Sequence, residues 1–315
     1  MSETYLSFIV DAFTNTQFGG NPASICLIPK SLSTSAYQKI AAELNCPANA
    51  FPVPTDPSLD YKTASNFSLR WFTPANEVPL CGHATLATSH VLFNEIGNVN
   101  KELKFETKSG VLTVNKDEKG NVEMDFPKYD LQSIKFKKME NSLGEKFAEI
   151  DAPDFLLKLI KCVVPETRIQ GALLAPKIGF VLVIVDPKTT IAEFEALKLD
   201  VSTALQLFDR NFFRGLILIQ PTNPMDRGFV DSQGKPYDYA CRHFMPWDGV
   251  VEDPATGSAQ CAIGPFLETM TGKKEFYGYQ AFPGRGAQFR LKLLEDRVML
   301  IGSAVSVVRG EIAYY

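Results

Sequence analysis

The sequence lacks the patterns on which several large classes of protein depend. Its apolar runs are strand-sized, well short of the roughly 20 residues of a membrane helix. Its 32 Lys and Arg are balanced by 36 Asp and Glu, giving a net charge of −4 without a basic arm or tail. Such a chain has no general attraction to nucleic acid or to anionic lipid. We expect a cytoplasmic protein without a nucleic-acid or membrane partner, because the N-terminus also lacks the basic start of a signal peptide.

Motifs for metals, disulfides and nucleotides are also absent. The six cysteines are scattered without a C-x-x-C pair, which argues against a zinc finger, a thioredoxin-like site or a disulfide framework. Cys81 and His83 have no further ligands at standard metal spacing. Neither GxGxxG nor GxxxxGK[ST] occurs, so a nucleotide cofactor has no support. We therefore expect neither a metal nor an organic cofactor.

What the sequence does contain is a repeated motif, R-x-F-x-P followed by a short glycine-led turn and an apolar run. It occurs at residues 70–74 before Gly82-His83-Ala84, and at residues 242–246 before Gly257-Ser258-Ala259. A helix and then a hairpin are predicted after each copy, with the first hairpin at residues 111–126. Ser33-Thr34 predicts the cap of an earlier helix that runs to about Leu44. We therefore predict two related halves. The first is residues 1–127, joined by the last strand at about 304–315, and the second is residues 128–303.

The residues after the first motif are apolar on nearly every face of a helix. A helix that is apolar all round is a buried one, so residues 84–93 predict a helix through the centre of the first half. Strand-like segments surround both motifs, which favours an α+β fold with a curved sheet around a buried helix in each half. The charged segment after Pro127, through about Glu149, is the expected crossover between the halves.

Each glycine-led turn is predicted to begin a helix. The first N–H groups of a helix have no partner within it, and the helix dipole places partial positive charge there. Glycine allows close approach, so each turn can bind an anion. In a duplicated fold the cleft is expected where the halves meet, which favours a small carboxylate or phosphate substrate. The alternative is that Gly82 and Gly257 only pack tightly and that Ser258 is an ordinary helix cap.

Four side chains near these turns can carry chemistry. His83 can donate to an anion or move a proton near neutral pH, or it can only cap backbone groups. Asp253 can orient His83 or bind substrate, or it can only stabilise the start of the helix. Cys81 stands at a helix N-terminus, where a thiol becomes more acidic, although packing is the commoner role. Arg285 lies in a Gly-Arg-Gly turn that is compatible with anion contact.

Residues 10–23, 69–86 and 252–259 resemble the PhzF (phenazine biosynthesis-like) family, in the same order and spacing along almost the whole chain. The resemblance is closest to its animal members, the phenazine biosynthesis-like domain-containing proteins. It implies the diaminopimelate epimerase-like fold of two pseudo-symmetric halves, often as a homodimer. It also implies isomerisation by proton transfer on a small acidic substrate, without metal or cofactor.

The resemblance also implies which residues form the site. The His of G-H-A-T, the Asp of E-D-P and the Ser of T-G-S-A correspond to His83, Asp253 and Ser258, which we predict to be catalytic. The predicted substrate-binding residues are Gly82, Ala84, Gly257, Ala259, Asn21, Cys81 and Arg285. Protein partners are not indicated.

One departure from the family pattern concerns the acid/base group. The family places a Glu in a segment like E-M-N-L-S-E-T-A-F, but here residues 43–51 place Ala48 at that position. Alanine cannot move a proton. A common His after T-G-S-A is Gln260, and Thr256 replaces the second cysteine of the epimerase relatives, which excludes a two-thiol mechanism. The sequence leaves two hypotheses: an isomerase in which His83 or Asp253 replaces the Glu, or an inactive pseudoenzyme that binds small molecules or proteins.

Overall fold

The computed structural model describes residues 3–137, 139, 142–209, 211–221 and 229–314. The chain divides into two compact units. Unit 1 comprises Met1–Phe126 and Met299–Tyr315, and unit 2 comprises Pro127–Val298. Each unit combines a mixed sheet with a few helices, and the fold is α+β as predicted.

Unit 1 contains a mixed sheet and two helices. The helices are α1 (Thr34–Leu44) and α2 (Gly82–His90), and the π-helical turn Val91–Glu95 continues α2. The strands are β1 (Glu3–Ala12), β2 (Asn21–Cys26), β3 (Ala48–Pro54), β4 (Asn66–Phe72), β5 (Glu77–Val78), β6 (Glu102–Thr107), β7 (Gly110–Lys116), β8 (Val122–Pro127) and β19 (Ala304–Tyr314).

Strands of unit 1 pair in the order β19, β1, β2, β3, β4, β6, β7 and β8, with β5 on β4. The pairs β2–β3 and β4–β6 are parallel, and the others are antiparallel. A parallel pair needs a crossover connection. Helix α1 lies within the first crossover and α2 within the second.

Unit 2 is built from the remaining elements. Its helices are α3 (Leu156–Lys161), α4 (Ile191–Ala196), α5 (Val201–Leu207) and α6 (Gly257–Thr271). Its strands are β9 (Gln132–Lys135), β10 (Ala148–Asp151), β11 (Ile169–Ala175), β12 (Phe180–Val185), β13 (Gly215–Pro221), β14 (Tyr239–Met245), β15 (Val250–Asp253), β16 (Glu275–Gln280) and β17 (Ala287–Leu293). Strand β18 (Arg297–Gly302) begins in unit 2 and ends in unit 1. Short 3₁₀ turns cover Ser142–Glu145, Glu166–Arg168 and Pro246–Asp248.

The pairing in unit 2 follows the pattern of unit 1. Antiparallel β11–β12 is followed by parallel β12–β13, antiparallel β13–β14 and parallel β14–β16, with β15 on β14. Strand β9 pairs with β11 and, in parallel, with β10. The two R-x-F-x-P motifs therefore occupy equivalent strands, β4 and β14.

The expected crossover after Pro127 is wrong in part. Two stretches of that charged segment are strands β9 and β10 of unit 2, in which Ser133 and Ile134 are buried. In β9 the buried pair lies between Gln132 and the exposed Lys135, and β10 has exposed Glu149 and Asp151 around a half-buried Ile150. The segment therefore looks like a linker by composition while it is part of the sheet.

Helix α2 is the buried helix that the apolar run predicts. All its residues from Ala84 to Ser89 are buried, and it packs on β1, β2 and β3. Its polar side chains bond back to the helix, since Thr88 Oγ1 donates to Ala84 O at 2.7 Å and Ser89 Oγ to Thr85 O at 2.8 Å. The helix can therefore carry hydroxyls through an apolar core without leaving them unsatisfied.

The arginines of the two repeated motifs form ion pairs within both units. Arg70 binds both oxygens of Glu77 on β5 at 2.8 and 2.9 Å. Arg242 binds both oxygens of Glu252 on β15 at 2.6 and 2.7 Å. Each arginine thus ties a long strand to the short strand that leads toward α2 or α6.

Candidate functional site

Helix α2 begins at the glycine-led turn of unit 1. Cys81 is the N-cap residue, with extended backbone and no side-chain cap bond. Thr85 Oγ1 donates to the carbonyl of Cys81 at 2.7 Å, which ties the cap to the first turn. Gly82 and His83 are half-buried and Ala84 is buried. His83 is in the first turn of α2, where the N–H groups have no partner within the helix.

His83 contacts two side chains through its Nδ1 atom. Asn21 Nδ2 lies 3.4 Å from Nδ1, and Cys81 Sγ lies 3.4 Å from the same atom. An amide nitrogen can only donate, so Nδ1 accepts and the proton of neutral His83 is on Nε2. Burial lowers the pKa of His83 to about 4, so the ring is neutral near pH 7. Among the described residues, the buried Nε2 has no hydrogen-bond partner.

The loop before β2 positions Asn21 for this contact. Phe13, Phe18 and Gly20 all have positive φ, and a Cβ on Gly20 would lie 2.0 Å from Ala12 O. Only glycine fits there. The buried Asp11 accepts from the backbone N–H of Phe18 at 2.7 Å and holds the loop closed. The strained backbone of this loop thus brings Asn21, the first residue of β2, against His83.

Ala48 is the first residue of β3 and is 1% exposed. It pairs with Ala23 of β2, and the strand alternation puts its side chain on the face of Ala50 and Trp71, opposite the face that packs on α1. The next residue, Asn49, donates to the carbonyls of Cys46 and Phe72. The altered segment is therefore well packed, and no ionisable side chain replaces the missing Glu at position 48.

Helix α6 begins at Gly257, as the second glycine-led turn predicts. Its N-cap residue is Thr256, so the interpretation of Ser258 as an ordinary cap is wrong. Ser258 lies in the first turn and is half-buried, between buried Gly257 and Ala259. The Thr256 hydroxyl makes no cap bond and instead lies 2.5 Å from Asp253 Oδ2. Asp253 is thus held three residues before the N-cap of the helix.

His243 is a member of this cluster that the sequence reasoning missed. Its Nδ1 lies 2.9 Å from Thr256 Oγ1, the atom that also contacts Asp253. It is 1% exposed, and burial lowers its pKa to about 3. His243 is the variable residue of the second R-x-F-x-P motif, where the first copy has Trp71. This difference between the two copies of the motif is the sequence signal that could have identified His243.

Two glutamines complete the cluster. Gln280 Oε1 accepts from Thr256 N at 2.9 Å, while its Nε2 donates to Asp253 O at 2.5 Å. Gln260, where the family commonly has His, accepts from Tyr239 OH at 2.5 Å and donates to Thr256 O at 3.2 Å. Both glutamines are fully buried. They fix the backbone of the turn between Asp253 and α6.

Arg285 lies in the turn between β16 and β17. Gly284 and Gly286 flank it with φ of 83° and 66°, and a Cβ on Gly286 would lie 2.5 Å from Tyr279 OH. The glycines of this turn are therefore explained by its backbone. In the described part of the chain, no three His, Cys, Asp or Glu residues are grouped closely enough to hold a metal ion. None of the described helices is long and apolar enough to span a membrane.

Stability is expected to fall between pH 6.5 and pH 4, in part because of the buried histidines. Folded His83 and His243 stay neutral down to about pH 4 and about pH 3, but both protonate below about pH 6.5 in the unfolded chain. The unfolded state therefore binds more protons in this window, and acid destabilises the fold. His243 alone is expected to account for about 1–2 kcal/mol at pH 5. Urea unfolding at pH 7.5 and pH 5.0 measures the loss, which should be smaller in His243→Phe; an equal loss in both proteins would contradict this.

Comparison with known proteins identifies relatives of the whole chain. Residues 10–310 match the PhzC-PhzF family model, described as phenazine biosynthesis-like protein. A phenazine biosynthesis-like domain-containing protein of Homo sapiens is 36% identical over 304 residues, covering 96% of this chain and 97% of that protein. An uncharacterized isomerase of Halalkalibacterium halodurans is 34% identical over 314 residues, covering 97% of each chain.

Solved structures agree on the fold. A PhzF-family protein of Enterococcus faecalis has a TM-score of 0.78 at 28% identity, covering 98% of this chain and 99% of that one. A protein of Pseudomonas aeruginosa described as a predicted epimerase has a TM-score of 0.68 at 19% identity, with the same coverage. These matches confirm the resemblance and the diaminopimelate epimerase-like α+β fold that it implies.

Proposed function

Because the chain belongs to the phenazine biosynthesis-like (PhzC-PhzF) family of isomerase-type proteins, we propose that it binds a small carboxylate-bearing substrate and isomerises it by cofactor-independent proton transfer. His83 and Ser258 bind and polarise the substrate, and Asp253 moves the proton that the family's Glu would move. The other predicted substrate-binding residues lie at the start of α2 (Cys81, Gly82 and Ala84), at the start of α6 (Gly257 and Ala259), on β2 (Asn21) and in the turn between β16 and β17 (Arg285).

The observation that carries this proposal is the contact of His83 Nδ1 with the side-chain amide nitrogen of Asn21. Because Nδ1 faces this amide, Nε2 of His83 presents an N–H. That N–H is buried and has no acceptor among the described residues. A buried donor without an acceptor costs about 1–3 kcal/mol. A carboxylate oxygen of the substrate would satisfy it, at a helix N-terminus that already favours negative charge.

Because its ring proton is on Nε2, His83 is a hydrogen-bond donor and an unsuitable base. A neutral ring with a low pKa and an engaged Nδ1 has little capacity to take a proton from carbon. Asp253 is the remaining carboxylate among the predicted catalytic residues, and the hydroxyl of Thr256 holds its Oδ2. Asp253 is therefore the better candidate for the base, with His83 stabilising the negative charge that develops on the substrate.

Binding and proton transfer can be measured together. The protein is incubated in D₂O with a panel of small amino and hydroxy acids, while NMR follows ligand binding and deuterium uptake at carbon. His83→Phe keeps a ring but removes the Nε2 donor. It should weaken binding about 10- to 100-fold, the value of one hydrogen bond to a charged group.

His90→Phe is the matched control, because His90 ends α2 and contacts Asn94 and Glu95 there. It should bind as the unmodified protein does. Equal binding by His83→Phe and the unmodified protein would overturn the role of His83. Failure of every acid in the panel to bind would overturn the small-anion proposal itself.

Ala48 favours a second function, that of a pseudoenzyme. The position of the family's acid/base Glu holds a buried methyl group. A protein with this substitution can keep the anion contacts of His83 and lose the chemistry. Binding that depends on His83 without any deuterium uptake would support this function over the first one.

We also propose that the two units derive from an internal duplication. The equivalent order of parallel and antiparallel pairs supports it, as does the placement of both R-x-F-x-P motifs on equivalent strands. The boundaries proposed from the sequence, 1–127 with about 304–315 and 128–303, follow from the same repeat. A homodimer is the expected assembly from the family resemblance.

A further inference from the structure

We propose that His243 is a positioning residue that fixes the orientation of the Asp253 carboxylate through the hydroxyl of Thr256. This inference rests on the proposed function, in which Asp253 acts on the substrate. His243 lies on β14, Asp253 on β15 and Thr256 at the start of α6. All three belong to unit 2.

The hydrogen bonds between these three side chains have one consistent direction. Thr256 Oγ1 lies 2.5 Å from Asp253 Oδ2 and 2.9 Å from His243 Nδ1. A carboxylate only accepts, so the single hydroxyl proton of Thr256 points to Asp253. Toward His243 the hydroxyl oxygen can then only accept. His243 Nδ1 must therefore carry the ring proton and donate it to Thr256.

The surroundings of His243 hold its ring in place. A Cβ on Gly215 would lie 2.3 Å from His243 Nε2, so the ring occupies the space that any other residue at 215 would need. The ring of Phe180 packs edge-on at 4.7 Å between centroids. Nε2 is buried and has no partner among the described residues. Moving the proton to Nε2 would bury an unsatisfied donor, and so the enclosure favours the Nδ1–H form.

Gln280 holds the other side of the same turn. Its Nε2 donates to Asp253 O at 2.5 Å and to Thr256 Oγ1 at 3.2 Å, and its Oε1 accepts from Thr256 N. The Thr256 hydroxyl thus receives two donors and has only one direction left for its own proton. That direction is Asp253 Oδ2. Side chains that lie outside β15 therefore orient the Asp253 carboxylate.

Two variants of His243 separate positioning from simple packing. His243→Phe keeps a ring beside Phe180 but removes the donor to Thr256. His243→Asn loses the ring, but its amide nitrogen can replace Nδ1 as the donor. If His243 positions Asp253, His243→Asn should keep more activity than His243→Phe. If His243 only packs against its neighbours, the order should be reversed.

The functional measurement is deuterium exchange with the acid that the panel identifies. His243→Phe is expected to lower kcat about 10- to 100-fold with little change in KM, because a misplaced proton acceptor slows the transfer more than it weakens binding. His243→Asn should recover most of kcat even if its Tm is lower. If the two variants lose kcat in proportion to their Tm, or if His243→Phe behaves as the unmodified protein, the inference is wrong.

A second measurement does not depend on a substrate. Nitrogen-15 NMR of the His243 ring should show a protonated Nδ1 and an unprotonated Nε2 at pH 7. Asp253→Asn removes the charge at the far end of the chain of hydrogen bonds, and it should shift the Nδ1 proton signal. An unshifted signal would overturn the link between His243 and Asp253. If no acid binds but the signal shifts, the proposed function fails while the positioning link stands.

Discussion

Replacing Arg242 by alanine is expected to lower the free energy of unfolding by about 3–5 kcal/mol, the usual loss when one partner of a buried ion pair is removed. The Arg242 side chain is 3% exposed and that of Glu252 is 11% exposed. Without the guanidinium, the Glu252 carboxylate stays mostly buried with its charge uncompensated.

Arg242 also donates hydrogen bonds to carbonyl groups at the end of a helix. Its Nη1 donates to the carbonyls of Phe194, Glu195 and Leu197, at 2.8, 3.2 and 2.7 Å. These are carbonyls at the C-terminus of α4, which have no partner within the helix. The alanine variant would therefore leave carbonyl acceptors unsatisfied at the end of α4. It would also leave the Glu252 carboxylate on β15 without its partner.

The equivalent arginine of unit 1 provides the control. Arg70 makes the same bidentate bond, but its side chain is 26% exposed and Lys108 also binds Glu77, at 2.6 Å. Arg70→Ala is expected to cost about 1 kcal/mol, as for a partly exposed pair. Urea unfolding of both variants measures the difference. Equal losses of unfolding free energy in the two variants would contradict the view that the more buried arginine, Arg242, contributes more to stability.

If the protein is a pseudoenzyme, replacing Ala48 by glutamate is expected to raise the rate of deuterium exchange by about 10²- to 10⁴-fold, the usual contribution of a positioned general acid or base. If Asp253 is the base, the rate is expected to stay unchanged. The side chain at position 48 lies on the same face as Trp71, diagonally across β3 and β4. Trp71 Nε1 is buried and has no partner among the described residues. A long side chain at position 48 can reach such a neighbour, so the new carboxylate has a donor available.

Ala48→Gln is the matched control for this experiment, since it has the same size and can accept the same hydrogen bond but cannot move a proton. It should exchange no faster than the unmodified protein. Circular dichroism and urea unfolding establish that both variants fold. A fast rate in the unmodified protein that Ala48→Glu leaves unchanged would show that another group already does the proton transfer, as the Asp253 proposal requires. Exchange that appears only in Ala48→Glu would favour the pseudoenzyme.

Local patterns in the sequence predicted several elements correctly. Ser33 accepts from Ala36 N at 3.2 Å and caps α1, which ends at Asn45 in the left-handed conformation. The apolar run after Gly82 is the buried α2. The hairpin predicted over residues 111–126 is β7 and β8. Each of these depends on residues close together in the chain, whose spacing shows directly which face is buried or which hydroxyl caps a helix.

The short strands and part of the site were missed because no local pattern marks them. Strand β5 has two residues and β15 has four, too few for an alternation to be visible. In the sequence Thr256 is noted only as the residue that replaces a second cysteine, yet it is the N-cap of α6 and links Asp253 to His243. His243 and Thr256 are 13 positions apart, and the pairing of β14 with β15, which puts His243 opposite Asp253, brings them together.

The sequence by itself determined the family, the repeated motif, and the absence of an ionisable side chain at Ala48, because each is a property of residue identity and order. The tertiary structure decided the chemical state of the histidines. Asn21, 62 positions from His83, makes Nδ1 of His83 an acceptor, and Thr256 makes Nδ1 of His243 a donor. The position of a ring proton depends on which groups the fold places around the ring, and these groups come from other elements. Two histidines that are the same in the sequence therefore differ in the fold, one prepared to donate to a substrate and the other to hold Asp253.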